Sequence, residues 1–453
     1  MRMTRRELLI GAGVGALGVL LVSCTPDPKP SPTPTVSPSP LPTTNVPLPA
    51  AHLRSTWATD PFSRGAASYT RVGVQQSTRE TLAEPIEGRV YFAGEATDAD
   101  NPATMRGAIH SGQSAAMRLR ATAASGERVA VIGAGLAGAM VASELAAADV
   151  EVTVFEARDR VGGRVYSRVD EEWPLPVQLG SWLLGADEVT QEHPNFPETA
   201  AITSALWRSP DGDIDPVSTA PIEKAVTAAQ AMRADVALAE ALTETGADPQ
   251  DPDLAALLAY LATTAAADAD VLSSWFPPAL PVEATRGVVG DFNVFVKELL
   301  GETQLTLASP VTRIAYDDAG VSLRLGTGES VSFDRVVVTV PLGVLQRNGI
   351  EFSPPLPFAH RGAINALGMG HIETIWLRYD EPFWETDAAI WHVVGGEATV
   401  RTWINLFPIT GENVLVGIIG GAAAEKFAAS EENEALGAAL TSLESFVASD
   451  ATN

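Results

Sequence analysis

The chain has 453 residues, of which 46% are hydrophobic and 19% charged, and its 56 acidic and 30 basic side chains give a formal net charge of −26. That length predicts two intertwined or consecutive domains, and the acidic balance argues against nucleic acid as a partner while suiting solubility outside the cell. A single cysteine, Cys24, excludes an intramolecular disulfide and a thiolate zinc cluster, and six histidines without ligand spacing predict no metal.

In chain order, residues 1–24 read as an export signal. A basic start with Arg5 and Arg6 adjacent, an apolar run from Ile10 to Val22 and a small-residue site before Cys24 match twin-arginine export followed by lipidation of Cys24. The apolar run is shorter than the ~20 residues needed to span a bilayer, which argues against a membrane-spanning anchor. Gly13, Gly15 and Gly18 spell a dinucleotide-type pattern, but no strand precedes them and no acidic residue follows at the required distance. Residues 25–50 alternate proline with serine and threonine and predict an extended tether, so any membrane relation would be through a lipid anchor alone.

The expected folded part starts near residue 51. A strand ending at Ala93 and a helix from Pro102 come first, then a strand–turn–helix–strand unit: Val129 to Ile132, the turn Gly133 to Gly138, a helix Ala139 to Ala148, and Val150 to Phe155. Glycines in that turn let a pyrophosphate approach the helix N-terminus, and Glu156, about twenty residues on, is placed to accept ribose hydroxyls. Residues 222–269 have helical spacing and carry no legible chemistry; later segments alternate as strands, and the chain ends in a helix-like stretch from Glu432 to Val447.

These motifs together resemble the flavin-dependent amine oxidases, the family of polyamine oxidases, monoamine oxidases, L-amino-acid oxidases and flavin histone demethylases. Its opening motifs are similar to VIGAGLAG, FEARDRVGGR (155–164) and LGSWLLG (179–185), its middle to VVVTVPLGVL (336–345), FSPPLP (352–357) and LRYDEPFW (377–384), followed by WINLF (403–407) and VLVGIIGG. Its closing motifs are similar to WATDPFSRG (57–65) and YFAGEATDADNPATMRGAIHSG (91–112), which here precede the opening ones. Each occurs once, so the sequence resembles a circularly permuted member.

The resemblance implies an α/β fold: a Rossmann-type FAD-binding domain (51–185 and 286–345) intertwined with an α+β substrate-binding domain of mixed sheet and helices (186–285 and 346–453). It implies non-covalent FAD, held by Gly133, Gly135, Ala137, Gly138, Glu156, Arg158, Gly163 and Arg164, with Trp182 and Leu183 along the flavin, Val311 at the adenine, Glu95 at the ribityl chain, and Thr104 and Met105 opening a helix toward the pyrimidine edge. The implied reaction is hydride transfer from the carbon beside a neutral amine nitrogen, giving an imine that water hydrolyses, with electrons passing to oxygen as hydrogen peroxide. Thr374 stands where the family has a lysine that holds a water beside the flavin, and Ala67 where it has a cage tyrosine, with Tyr69 two positions on. Trp403, Tyr69 and Trp57 are the substrate-side candidates for a small-molecule amine. The missing lysine leaves open a desaturase or dehydrogenase using another acceptor on the same fold, or a non-catalytic FAD-retaining surface protein.

Overall fold

The computed structural model describes residue 41 and residues 43–185, 195–280 and 285–447. The expected signal, Cys24 and most of the expected tether lie outside the described residues.

A five-stranded, all-parallel sheet forms the first half. Its order across the sheet is Gln304–Thr306, Val150–Phe155, Glu127–Ile132, Arg335–Val338 and Val90–Phe92. These strands are continuous apolar runs because both faces are covered, as parallel sheets require. The helices Leu136–Ala146 and Met105–Arg120 pack on it; Gly112 brings them so close that a Cβ there would lie 2.6 Å from the Ala137 carbonyl oxygen. The first of these helices begins at Leu136, three residues before the expected Ala139, because the turn closes by Gly135.

The second half is a seven-stranded sheet ordered Ala51–Arg54, Ile372–Arg378, Val414–Gly420, Thr402–Asn405, Ile390–Val393, Ala205–Ser209 and Gly212–Ile214. Its two faces pack differently. Trp376, Ile390, Ile404 and Val416 face the first half, where Trp376 meets Trp182 at 5.6 Å between ring centroids. Ile375, Trp391, Trp403 and Leu415 face the C-terminal helices with Phe446. Trp376 donates its indole N–H to the carbonyl of Gln178 at 3.1 Å, tying the two halves together, and Trp57 donates to the neighbouring carbonyl of Leu179 at 2.7 Å.

Three expected boundaries need correction. Ala51–Arg54 pairs with Ile372–Arg378 and so belongs to the seven-stranded sheet, not to the FAD-binding half. Glu351–Ser353 pairs with Arg313–Ala315, which carries the FAD-binding half past residue 345. The expected tether also ends before residue 50: Val46 is 4% exposed and packs among Trp391, Phe446 and Leu443, with Leu41 and Val447 at the margin of the same cluster. Isolated aliphatic side chains between prolines are enough to dock when an apolar surface lies within reach. Beside this contact, Arg54 bonds Glu432 Oε2 at 2.8 Å and the carbonyls of Phe427 and Ser430, so both described ends of the folded chain meet on one edge.

Candidate active site

The turn after the Glu127–Ile132 strand is shaped by glycine. Gly133 has φ +109°, and a Cβ on Gly138 would lie 1.9 Å from the Gly133 carbonyl oxygen, a contact no side chain survives. Gly135 differs: a Cβ there would meet nothing closer than the Gly162 carbonyl at 3.7 Å, with the Gly163 backbone behind it. Gly135, Gly162 and Gly163 thus form a bare concave surface at a helix N-terminus, which fits a pyrophosphate. Ala137 lies in the first turn of that helix and is buried.

Glu156 ends the next strand with both oxygens engaged: Oε2 accepts from Ala134 N–H at 2.8 Å and Oε1 from Arg158 N–H at 2.9 Å. The loop leading to Val311 lies alongside, since Ser309 N–H donates to the Glu156 carbonyl and Ala308 N–H to that of Arg158. Val311 itself is buried in the same cluster as Phe155, where an adenine ring would have an apolar wall. Arg158 is held by Asp60 at 2.9 Å and Ser63 at 2.8 Å. Its neighbour Arg160, unforeseen in the sequence, lies 3.7 Å over the Tyr166 ring; burial, with Arg158 nearby, pushes its guanidinium down to about 10, still cationic at neutral pH.

The motif at 90–112 arrives at the same place. Glu95, buried at the end of the sheet, accepts from Arg164 at 2.7 Å, from the Ser68 hydroxyl at 2.6 Å and from Ala103 N–H at 3.1 Å. Burial alone would raise its pKa, but Arg164, the Ser68 bond and Arg79 outweigh it and hold the carboxyl below the usual range, so the charged form persists. Arg79, also unforeseen, donates to Ser68 Oγ at 2.7 Å. Thr104 caps the helix that begins at Met105, its hydroxyl accepting from Gly107 N–H at 2.9 Å. The positive end of that helix's dipole is what a developing negative charge would meet. Trp182 is buried against Trp376, and Leu183, half-buried, pairs with Gly287.

On the seven-stranded sheet, strand pairing sets one transverse row. Thr374 pairs with Ile418, Ile418 with Thr402, Thr402 with His392 and His392 with Trp207, all pointing to one face. Thr374 Oγ1, Thr402 Oγ1, both ring nitrogens of His392 and Trp207 Nε1 are buried without a hydrogen-bond partner. Buried polar atoms without partners are rare and call for an explanation; facing a ligand is one.

Trp403, expected on the substrate side, is fully buried on the opposite face. Its neighbour Thr402 takes the expected place, because side chains alternate along a strand. Trp57 also departs from expectation: its indole is tied to Leu179, and Arg158 and Arg160 each lie 5.9 Å from its ring, on the FAD-binding side. Tyr69 lies over Gly368, its pairing partner, and touches the helical cluster that contains Trp207.

A family model described as flavin containing amine oxidoreductase matches residues 37–120 and 136–453. The chain belongs to this family. It is similar to polyamine oxidase 4 of rice, Oryza sativa subsp. japonica, at 30% identity over 71% of this chain and 73% of the relative, and to polyamine oxidase 2 of Arabidopsis thaliana at 28% over 65% and 67%. A solved putrescine oxidase with putrescine bound shares the fold, with a TM-score of 0.56 and 18% identity over 72% of this chain and 82% of that one. A second model, pyridine nucleotide-disulphide oxidoreductase, matches residues 85–173. This amine oxidoreductase is therefore an FAD-dependent enzyme, and the glycine cradle fits that cofactor.

Beneath Thr374, on the other face, Glu373 is fully buried and accepts from the Ser55 hydroxyl and from Ala58 N–H at 2.9 Å. Burial dominates and raises its carboxyl to about 7. The folded state therefore favours the protonated acid, so stability is greatest below the unfolded value near 4.5, falls as pH rises toward about 7, and then levels. The fall should amount to on the order of 3 kcal/mol. Denaturant unfolding across that window should show it in the wild type, and Glu373→Gln should flatten the curve.

Proposed function

We propose that this enzyme oxidises a small-molecule amine at the sheet face carrying Thr374 and releases hydrogen peroxide. The observation that supports this most is the burial of unpartnered polar groups beginning at Thr374, the position that matches the family's lysine, on the face turned toward the FAD-binding half. FAD, when bound, supplies the chemistry of accepting two electrons and a proton from the carbon beside the amine nitrogen and delivering them to oxygen.

The chain's own residues do the rest. Gly133, Gly135 and Gly138 leave room for the pyrophosphate, Glu156 and Glu95 fix the sugar portions, and the helix opening at Met105 offers backbone donors to negative charge. Thr374, 5% exposed, supplies a neutral hydroxyl in a dry site and selects the uncharged amine, since an ammonium there would lose its water without gaining a partner. The similar proteins named polyamine and putrescine oxidases favour an aliphatic amine. Purified yellow protein mixed anaerobically with a panel of aliphatic amines should lose its flavin colour, and readmitted oxygen should regenerate it with peroxide; no loss of colour with any amine rejects this reading.

The chain order is read as a circular permutation. Support comes from the two stretches matched by the family model, from the Arg164–Glu95 pair that joins opening and closing motifs, and from Val46 and Phe446 sharing one cluster. A variant joining Val447 to Val46 by a short linker and opened at Ser125 should fold and retain FAD; failure to bind FAD counts against the permutation.

The N-terminal segment is read as a twin-arginine signal with lipidation at Cys24, so the enzyme would work outside the cytoplasm on a lipid anchor. Cell fractionation provides the test: Cys24→Ala should move the protein from the membrane to the soluble exported fraction, and unchanged membrane association would refute the anchor.

A further inference from the structure

The row of unpartnered groups extends well beyond Thr374. From Thr374 to His392 it crosses three strand spacings, roughly 14 Å at about 4.8 Å each. His392, 1% exposed, lies between Trp207 at 4.0 Å and Tyr260 at 4.4 Å, ring centroid to ring centroid, and neither of its nitrogens is bonded. The two aromatic rings flank the imidazole and leave both of its nitrogens for a further hydrogen-bonding group. A cavity of about 380 Å³ at the end of the sheet, lined also by the Pro252–Ala265 helix and by side chains between residues 423 and 438, includes Thr402 and Ile418 of the row. Four charged side chains line that cavity, Lys426 and Glu434 exposed and Asp268 and Arg401 half-buried, whereas Thr402 and Ile418 are buried.

We propose that His392 is the distal anchor of the substrate site, and that the substrate is an elongated amine whose far end carries an uncharged hydrogen-bonding group, an amide or a hydroxyl, instead of a second ammonium. The inference rests on the amine-oxidising reading of the Thr374 end. Every residue of the row is uncharged, and burial pushes the His392 imidazole down to about 3, so it stays neutral. A neutral imidazole both donates and accepts, which suits an amide or hydroxyl. An ammonium in the same place would be desolvated with no carboxylate in the row to receive it.

The test uses FAD-loaded protein and reads binding separately from turnover. Under anaerobic conditions, perturbation of the visible flavin spectrum gives dissociation constants for three chains of equal length: octylamine carrying a terminal amide, octylamine carrying a terminal hydroxyl, and diaminooctane. The amide and hydroxyl ligands should bind at least about ten-fold more tightly than the diamine, the order set by the net contribution of one hydrogen bond. His392→Phe, which keeps a ring between Trp207 and Tyr260, should abolish the difference while leaving unsubstituted octylamine within about three-fold. His392→Gln, neutral and able to donate and accept, should retain the preference. A diamine bound as tightly as the others, a preference that survives in His392→Phe, or no spectral response to any ligand overturns the proposal. Binding with the expected preference but without loss of flavin colour upholds the anchor and rejects amine oxidation instead.

Discussion

The bond between half-buried Arg164 and buried Glu95 is the contact on which the site depends. Arg164 follows the glycine turn at 162–163 and Glu95 opens the short turn after the Val90–Phe92 strand, so a bond of 2.7 Å joins residues 69 apart in two motifs. A carboxylate buried to this degree is tolerable only with its charge answered and its lone pairs filled. Arg164 answers the charge at Oε1, the Ser68 hydroxyl and the Ala103 N–H engage Oε2, and Arg79 adds a second positive charge. Because Ala103 opens the way into the Met105–Arg120 helix, the same carboxylate also sets where that helix starts. Charge compensation and placement of the cofactor's contacts are one arrangement.

The second constraint is strand parity. Once Thr374 points toward the FAD-binding half, pairing fixes Ile418, Thr402, His392 and Trp207 on the same face and sends Glu373, Trp391 and Trp403 to the other. The two faces therefore differ in chemistry within single strands. One is a neutral polar track with open valences; the other is an aromatic core containing an acid that prefers its proton.

Much of the FAD-binding half was legible in the sequence because its chemistry is local. Gly133, Gly135, Gly138 and Glu156 occur in one strand–turn–helix–strand unit of fixed spacing, and Thr104 and Met105 sit where a cap and a helix start belong. What was not legible depends on distant pairing. Which of Thr402 and Trp403 faces the site is decided by register with the Val414–Gly420 strand, and no local signal in WINLF carries it. The assignment of Ala51–Arg54 to the second half depends on a partner more than three hundred residues away. Val46 and Arg79 gave no signal because a lone valine among prolines, or an arginine on a short helix, looks solvent-exposed until the surface it meets is known.

The five-stranded sheet has a further consequence for how the protein is made. Its last strand is Arg335–Val338, while the Val90–Phe92 strand and the Met105–Arg120 helix are among the earliest folded segments to leave the ribosome. All five strands therefore come before the central strands of the seven-stranded sheet, Ile372–Arg378, Ile390–Val393, Thr402–Asn405 and Val414–Gly420, in chain order. The nascent chain can assemble its nucleotide-binding half before the seven-stranded sheet has its central strands, so cofactor capture can precede completion of that sheet.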